Sequence, residues 1–461
     1  MSDSLSAFHW RPQPDAGAWV HEMVERVLDR LPEARALARR LHDEAAVRFA
    51  DLVDTIRLAP AGAHARAAAQ AGWVQRARSG AWQVLENRHG LFPAVALGEA
   101  LPAEQVAIDL KVEAVDDFLA AHRLDRTVQG QVGDARRWAL LWQAGNAAVG
   151  ILERHGWRGM DAGPTHDPAT LEQVLEAFRA RRRELGSDAA GFAEAGRLID
   201  DAIAAVGRDR ACELFFAAER EHWQARNRAA QAQKARQDAL GIGWANHDHH
   251  TYRSSRENFV PLVALWEKLG FACRERFYAG REAGWGAQVM EQAQAGIVTF
   301  NDVDLAPDEL FNDFAQQPLP PQPSLGTVGL WCALHGDSVL EAGMHHLECQ
   351  FDFAALARQL AEQAGVGMMN PFTDLPYLRQ AFTHGERWPV RPERIDALLA
   401  GGQITAEQAE RFRRDGAIGS HLENLERHDG FKGFNQQGVS EIIAETDPRR
   451  QGQAGPAGRA G

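Results

Sequence analysis

The feature that most constrains the fold of this chain is a pattern that occurs twice after residue 246. Residues 249–253 (HHTYR) are followed by a helix-like stretch at 259–269 and a turn at Gly270. Residues 345–351 (HHLECQF) are followed in the same order by a helix-like stretch at 353–360 and a turn at Gly365. Each copy predicts a strand, a helix, a turn and further strands, which is the order of a βαβββ module. Two such modules can close a cup around one site.

The residues before this pattern have a different composition. Residues 15–240 are dominated by Ala, Arg, Glu and Leu, which favour helices, and residues 213–238 predict one long amphipathic helix. Strand-like segments such as 296–300 (GIVTF) and 327–331 (TVGLW) occur only later. We therefore predict an α+β fold, with a mainly helical region at 1–240 and the paired modules at 241–448. Residues 449–461, rich in Gly, Ala, Gln and Arg, predict a disordered tail.

Composition excludes several classes of function. The 461-residue chain has a formal net charge of −13, the wrong sign for a nucleic-acid binder. It has no stretch of about 18 apolar residues, so we expect no membrane partner. Its four cysteines form no CxxC pair, and its first residues lack the pattern of a secretory signal. These features predict a cytoplasmic protein with free thiols. Self-association into a homo-oligomer stays open.

Histidines are the first candidate metal ligands. His247, His249 and His250 lie within four residues at the start of the first module, and His345 and His346 open the second. Side chains alternate between the two faces of a strand, so His247 and His249 share one face and His250 points to the other. Only one histidine of the second pair can point into the cup. Each module thus offers about one inward ligand, and a further ligand must come from elsewhere.

A carboxylate is the third candidate. Residues 421–427 (HLENLER) predict a strand, on which Glu423 or Glu426 could face the site. Two histidines and one carboxylate form the facial triad of non-haem iron(II) oxygenases, which leaves positions open for a chelating substrate and dioxygen. The same side chains could also bind zinc or manganese.

Three further features could contact a substrate. Arg253 lies four residues after His249 on the same strand face, where it could clamp a carboxylate or pair with a structural aspartate. Residues 429–438 contain three glycines and two phenylalanines, which suggests either a loop that closes over the site or a plain hairpin loop. Ser440 follows, and its hydroxyl could hydrogen-bond a substrate oxygen or cap a helix.

These motifs carry a resemblance to known families. Residues 422–427 (LENLER), followed by GFKGF at 430–434, resemble the last iron-binding strand and loop of 4-hydroxyphenylpyruvate dioxygenase, of the vicinal oxygen chelate superfamily. Asp248-His249 resembles the opening of that family's preceding module, and Gly343-Met-His-His346 the opening of its last module. The pattern HHTYR at 249–253 is also similar to the His-x-x-x-Arg motif of the hydroxyglutarate synthase (2-oxoadipate dioxygenase/decarboxylase) family.

The resemblance implies a function and a set of site residues. It implies that His249, His346 and Glu423 bind Fe(II) and that Arg253 binds the substrate carboxylate. The implied reaction is oxidative decarboxylation of a 2-oxo acid such as 2-oxoadipate with dioxygen, which gives a hydroxy acid and CO2. A metal-dependent lyase, isomerase or ring-cleaving enzyme of the same fold is the first alternative, and a non-catalytic ligand-binding module is the second. The choices between Glu423 and Glu426, and between His249 and His247, stay open.

Overall fold

The chain opens with two paired helices. The computed structural model describes residues 10–435, 443 and 446–450. Helices α1 (Pro14–Arg30) and α2 (Pro32–Ala45) each begin with a proline, whose missing N–H costs nothing in the first turn of a helix. Both are amphipathic, and they bury residues such as Val27 and Leu41 completely.

Residues 53–154 form a sheet, so the prediction of a mainly helical first half is wrong for this segment. Its eight strands and two helices are β1 (Val53–Leu58), α3 (Ala63–Gln70), β2 (Trp73–Ser79), β3 (Trp82–Asn87), β4 (Ala94–Gly98), β5 (Val106–Lys111), α4 (Val115–His122), β6 (Val128–Gln129), β7 (Arg136–Ala144) and β8 (Ala147–Arg154). Strands such as β8 (AAVGILER) are buried on both faces and lack the alternation that marks a half-exposed strand. Burial therefore overrides the helix propensity of their alanines and leucines.

Helices return in the middle of the chain, where the prediction holds. They are α5 (Pro168–Arg179), α6 (Asp188–Val206), α7 (Arg208–Gln224) and α8 (Arg228–Ala239). The single long helix predicted at 213–238 is instead divided between α7 and α8. The reason is Asn227, whose side chain accepts a hydrogen bond from the backbone N–H of Ala230 and starts a new helix.

A second sheet of nine strands follows. Its strands are β9 (His247–Arg253), β10 (Ala272–Tyr278), β11 (Trp285–Gln292), β12 (Ile297–Asp304), β13 (His346–Gln350), β14 (Thr373–Leu375), β15 (Leu378–Phe382), β16 (Glu386–Trp388) and β17 (Ala417–Arg427). Its helices are α9 (Phe259–Lys268), α10 (Thr327–His335), α11 (Phe353–Ala364), α12 (Pro392–Ala400) and α13 (Ala406–Asp415). The strand predicted at 327–331 is wrong, because these residues begin the fully buried helix α10, in which apolar side chains cover every face.

The two sheets share one topology. The strand orders are β2-β3-β4-β1-β5-β8-β7-β6 and β10-β11-β12-β9-β13-β17-β15-β14, with β16 added beside β17. In each sheet the first strands of two modules pair antiparallel at the centre, and each first strand pairs parallel with the last strand of its own module. The predicted α+β fold with paired βαβββ modules is confirmed, and the module occurs four times rather than twice.

The two sheets belong to one packed body. A single cluster of buried apolar side chains runs from α1 through the first sheet and α5–α8 to the second sheet. Within the described residues, no helix combines the length and the hydrophobicity that a membrane crossing needs.

Candidate metal centre

Three side chains lie in one row across the centre of the second sheet. His249 on β9 is opposite Glu348 on β13, and Glu348 is opposite Glu423 on β17. Residues that are paired across neighbouring strands point to the same face with their Cβ atoms about 5 Å apart. The register therefore brings one imidazole and two carboxylates together without any loop.

The distances in this row are those of a possible ligand set. His249 Nε2 lies 2.8 Å from Glu348 Oε1, and one ligand atom from each of His249, Glu348 and Glu423 lies within 4.8 Å of the others. All three residues are at most 2% exposed. Nitrogen and carboxylate oxygen donors grouped in this way suit a divalent transition metal.

His346 lies two residues before Glu348 on β13, so its side chain points to the same face of the sheet as the row. Its Nε2 is 2.5 Å from Glu348 Oε1 and 3.4 Å from Glu423 Oε2. The three ligands predicted from the sequence, His249, His346 and Glu423, are thus brought together, with Glu348 among them.

Polar side chains next to the row hold His249 and Glu423 in place. Asp248 Oδ1 lies 2.8 Å from His249 Nδ1, and Arg427 holds Asp248 with a 3.0 Å ion pair. Gln380 Nε2 donates to Glu423 Oε1 at 2.8 Å. A carboxylate on the far nitrogen of a histidine fixes its tautomer and its ring orientation, as is usual for metal-binding histidines.

The electrostatics of the row favour a bound cation. Burial, together with the neighbouring Glu423, raises the pKa of Glu348 well above its ordinary value. Burial raises the pKa of Glu423 to about 7 and lowers the pKa of His249 to about 4. Among the described residues, no hydrogen-bond donor reaches the buried Oε2 of Glu348. Two buried carboxylates with an open acceptor and a neutral imidazole therefore fit a divalent ion.

Aromatic rings wall the cup above this row. The cavity has a volume of about 50 Å³, and its aromatic lining residues are Phe277, Trp285, Phe300, Phe372, Phe382 and Phe434. The ring of Phe434 lies 4.9 Å from the ring of His249, so the predicted glycine- and phenylalanine-containing loop does reach the site. Asp302 also lines the cavity, and its buried Oδ1 has no hydrogen-bond partner among the described residues.

The other candidate ligands considered from the sequence, His247, His250 and Glu426, do not face the cup. His247 Nδ1 lies 2.9 Å from the carbonyl oxygen of Trp244, outside the cup. His250 points to the helices behind the sheet, where its Nε2 is 3.2 Å from Arg220. Glu426 accepts a hydrogen bond from the backbone N–H of Phe353 and lies on the strand face opposite to Glu423.

The two predicted substrate contacts have different outcomes. Arg253 is buried, and its Nε lies 3.5 Å from Asp302 Oδ2, so its charge is already partly balanced. This is the aspartate pairing that was the alternative to a carboxylate clamp. Ser440 lies outside the described residues, so its predicted role stays a prediction.

Glu348 is the member of the row that the sequence interpretation missed. It follows His346 by two residues, and side chains two apart on a strand share a face. If the side chain of His346 points into the cup, the alternation of side chains along the strand predicts that Glu348 points into it as well.

The next row of the sheet holds a second group of histidines. Thr251, His346 and His421 are opposite one another, and His345 Nδ1 lies 2.6 Å from His346 Nδ1. His345, His346 and His421 could also place three nitrogen atoms around an ion. Burial, together with the charge of Arg253, lowers the pKa values of all three histidines, and this group contains no carboxylate to balance the charge of a cation. The row with two carboxylates is therefore the better metal centre.

The first sheet keeps the row but not the ligands. The equivalent positions are Thr55 on β1, Asp109 on β5 and Gly150 on β8. Asp109 accepts a 2.7 Å hydrogen bond from Trp138 Nε1 and lies 3.0 Å from Arg57 Nε. A Cβ at Gly150 would lie only 2.5 Å from Trp138 Nε1, so this indole fills the place of the third ligand.

Comparisons with known proteins give only remote similarity. Neither a protein-family model nor a curated protein sequence matches this chain. A mutant of 4-hydroxymandelate synthase from Streptomyces coelicolor is similar with a TM-score of 0.29 and 15% identity, covering 74% of this chain and 97% of that chain. Methylmalonyl-CoA epimerase from Mycobacterium tuberculosis is similar with a TM-score of 0.24 and 14% identity, covering 40% and 88%. At these scores, neither match decides the fold or the reaction of this chain, which rest on its own strands and side chains.

Proposed function

We propose that this protein is a mononuclear non-haem iron(II) dioxygenase that oxidatively decarboxylates a 2-oxo acid. The observation that carries the proposal is the convergence of His249, His346, Glu348 and Glu423 at the base of an aromatic-walled cup. The resemblance of the motifs around His249, His346 and Glu423 to 2-oxo acid dioxygenases supports the same conclusion.

Two histidines and one carboxylate are sufficient to hold the ion. His249, His346 and Glu423 are the proposed ligands, and Glu348 is either a fourth ligand or a neighbouring base. When bound, iron(II) would supply open positions at which the two oxygens of a 2-oxo acid and dioxygen meet. Asp248 keeps the His249 ring in place, and Gln380 does the same for the Glu423 carboxylate.

The walls of the cup select an apolar substrate side chain. A carboxylate pressed against Phe300, Phe372 and Phe434 would lose its hydration without compensation, which costs several kcal/mol. We therefore favour a 2-oxo acid with an aliphatic or aromatic side chain over the dicarboxylate 2-oxoadipate. Asp302 Oδ1 is placed to accept one hydrogen bond from the substrate. The aromatic rings also exclude water from the reacting atoms.

One observation favours a second candidate function. The facial triad needs a single carboxylate, whereas this row has two. If Glu348 acts as a base rather than a ligand, the same site could move a proton on a metal-bound substrate, as a metal-dependent isomerase or lyase does. Such an enzyme would not consume oxygen.

The test starts from protein purified without oxygen and reconstituted with Fe(II). Oxygen uptake is followed with 4-methyl-2-oxopentanoate, phenylpyruvate and 2-oxoadipate, in wild type and in Glu423→Gln and Glu426→Gln. The proposal expects about one iron per chain, uptake with at least one 2-oxo acid, and loss of both iron and uptake in Glu423→Gln alone. Equal behaviour of the two variants would show that Glu423 holds no metal.

A further inference from the structure

A large cleft lies where the ends of the two sheets meet. Its volume is about 710 Å³, far larger than the cup. The lining residues come from α1 and the ends of β1, β5 and β8 on one side, and from the ends of β9, β11, β12 and β17 on the other. The proposed ligands His249, His346, Glu348 and Glu423 do not line it.

The cleft is positively charged, although the whole chain carries a net charge of −13. Seven lysine or arginine side chains line it, against five carboxylates. Five of the cations are held in ion pairs with carboxylates, and these pairs are Arg48 with Asp51, Arg154 with Asp54, Arg274 with Glu275, Arg427 with Asp248 and Lys432 with Glu291. Two cations remain, Lys111 and Arg158.

Neither remaining cation has a carboxylate within ion-pair distance among the described residues. The carboxylate that attracts both cations most strongly is Asp54. Arg154 already binds both of its oxygens, at 2.8 and 3.2 Å. Arg158, in the segment that follows β8, is held in place because its Nε donates to the carbonyl oxygen of Ala293 at 3.1 Å. Lys111 ends strand β5, and burial lowers its pKa to about 8.

Lys111 and Arg158 are half-buried, and the charge of Arg158 acts on Lys111. The nearby Asp54 is already paired with Arg154, so a bound anion would lower the cost of burying these two cations. A guanidinium presents a fork of donors that matches the oxygens of phosphate and carboxylate groups, and a lysine adds a compact charge. The surrounding ion pairs fix the walls, and the cleft has room for a ligand much larger than one phosphate group.

We propose that this cleft binds a multivalent oxyanion, a phosphate ester or a polycarboxylate, through Lys111 and Arg158. Within the described residues, Lys111 and Arg158 contact none of the proposed metal ligands, although Asp248 and Arg427, which hold His249, also line the cleft. The proposal does not depend on the proposed dioxygenase function. Its ligand would join the two halves of the chain, because Lys111 and Arg158 belong to the first half, whereas Ala293 and the opposite wall belong to the second.

Isothermal titration calorimetry on the full-length protein tests the proposal, with pyrophosphate, inorganic phosphate and citrate as probes at constant ionic strength. We expect saturable binding of one pyrophosphate or one citrate per chain, and the tighter of the two identifies the chemical class. Lys111→Met and Arg158→Met should each weaken binding about tenfold or more. Lys268→Met removes an exposed lysine of α9 and should leave binding unchanged.

Melting curves separate a binding role from a structural one. Without the anion, Lys111→Met should melt at the wild-type temperature or above it, because it removes an uncompensated charge. Lys111→Arg keeps the charge and should retain binding. The proposal is overturned if no probe binds saturably, if both methionine variants bind like wild type, or if Lys111→Met melts lower and Lys111→Arg does not restore binding.

Discussion

His249 and Glu348 face each other across the antiparallel pairing of β9 and β13, with His249 Nε2 2.8 Å from Glu348 Oε1. This pairing sets the position of the proposed metal centre, because Glu423 continues the same row on β17. A row built on paired strands is positioned more precisely than one built on loops, and Glu348 and Glu423 are each paired with strands on both sides. The loops of the cup then determine what can reach the row.

Replacement of Glu348 by glutamine should weaken metal binding and stabilise the metal-free protein. The change removes a carboxyl group that burial and the neighbouring Glu423 keep from ionising, which costs folding free energy at neutral pH when no cation is present. At a metal concentration about 100 times the wild-type Kd, wild type should gain about 2.7 kcal/mol in stability and the variant less than about 1 kcal/mol. Chemical denaturation with and without Mn(II) measures both effects.

Glu426→Gln is the matched control for that experiment. Glu426 lies on the same strand as Glu423 but contacts the backbone of Phe353 instead of the cup. Its substitution should leave the stabilisation by metal unchanged. If metal stabilises Glu426→Gln less than it stabilises Glu348→Gln, the ion binds on the face of β17 that carries Glu426, and the proposed site is wrong.

Loss of the Asp248 carboxylate should lower the metal affinity, although every proposed metal ligand stays in place. Asp248→Asn leaves His249 in place but removes the negative charge from its far nitrogen. Changes of this kind typically cost 10–100-fold in metal affinity. Competition with a metal-sensitive chelator measures the affinity, and an unchanged value would show that Asp248 only anchors Arg427.

Phe372→Ala should widen the cup and change substrate preference. Phe372 lines the cavity but is only half-buried, so the protein should remain folded. The ratio of kcat/KM for phenylpyruvate to that for 4-methyl-2-oxopentanoate should rise about tenfold, as one missing ring makes room for a larger side chain. An unchanged ratio, with the fold intact by circular dichroism, would place the substrate elsewhere.

Acid should lower the free energy of unfolding by protonating Glu219, which lies behind the second sheet. Glu219 is buried between Arg181 and Arg183, whose charges lower its pKa to about 2, below its ordinary value of 4.5. A carboxylate with a depressed pKa contributes its stability above about pH 4.5 and loses it as the pH falls toward 2. The loss should reach about 3 kcal/mol for Glu219.

Urea unfolding at pH 5 and pH 2.5 measures this effect. Glu219→Gln should be less stable than wild type at pH 5, because two buried arginines lose their counter-charge, and should depend less on pH. Glu194→Gln, on the exposed pair with Arg197, is the control and should follow wild type. An identical pH dependence in wild type and Glu219→Gln would contradict this account of the cluster.

The sequence was sufficient to predict the openings of the two modules in the second sheet, although the strand that it predicted at 327–331 is a helix. The alternation around His249 and Glu423 follows the strand period, and the two module openings share a pattern. The first sheet could not be predicted in this way. Strands such as β5 (VAIDLK) and β8 (AAVGILER) are covered on both faces, so apolar and polar residues do not alternate along them and no strand pattern is visible in the sequence.

The proposed ligands could be named from the sequence, whereas the residues around them could not. The positions of Phe277, Phe300, Phe372 and Phe382 in the cup depend on the order in which the strands pair, which a single sequence does not contain. The pairing of Arg253 with Asp302 depends on the parallel register of β9 and β12 in the same way. Long-range pairing also creates the charged cleft, whose two walls come from distant segments of the chain.

The measurement that tests the central proposal most directly is the stoichiometry of oxygen consumption and CO2 release by the Fe(II)-reconstituted enzyme. With a 2-oxo acid that fits the cup, the proposal predicts one dioxygen consumed and one CO2 released per molecule of substrate, and no turnover in anaerobic buffer. Full turnover of a substrate without oxygen would contradict the dioxygenase and favour the isomerase or lyase.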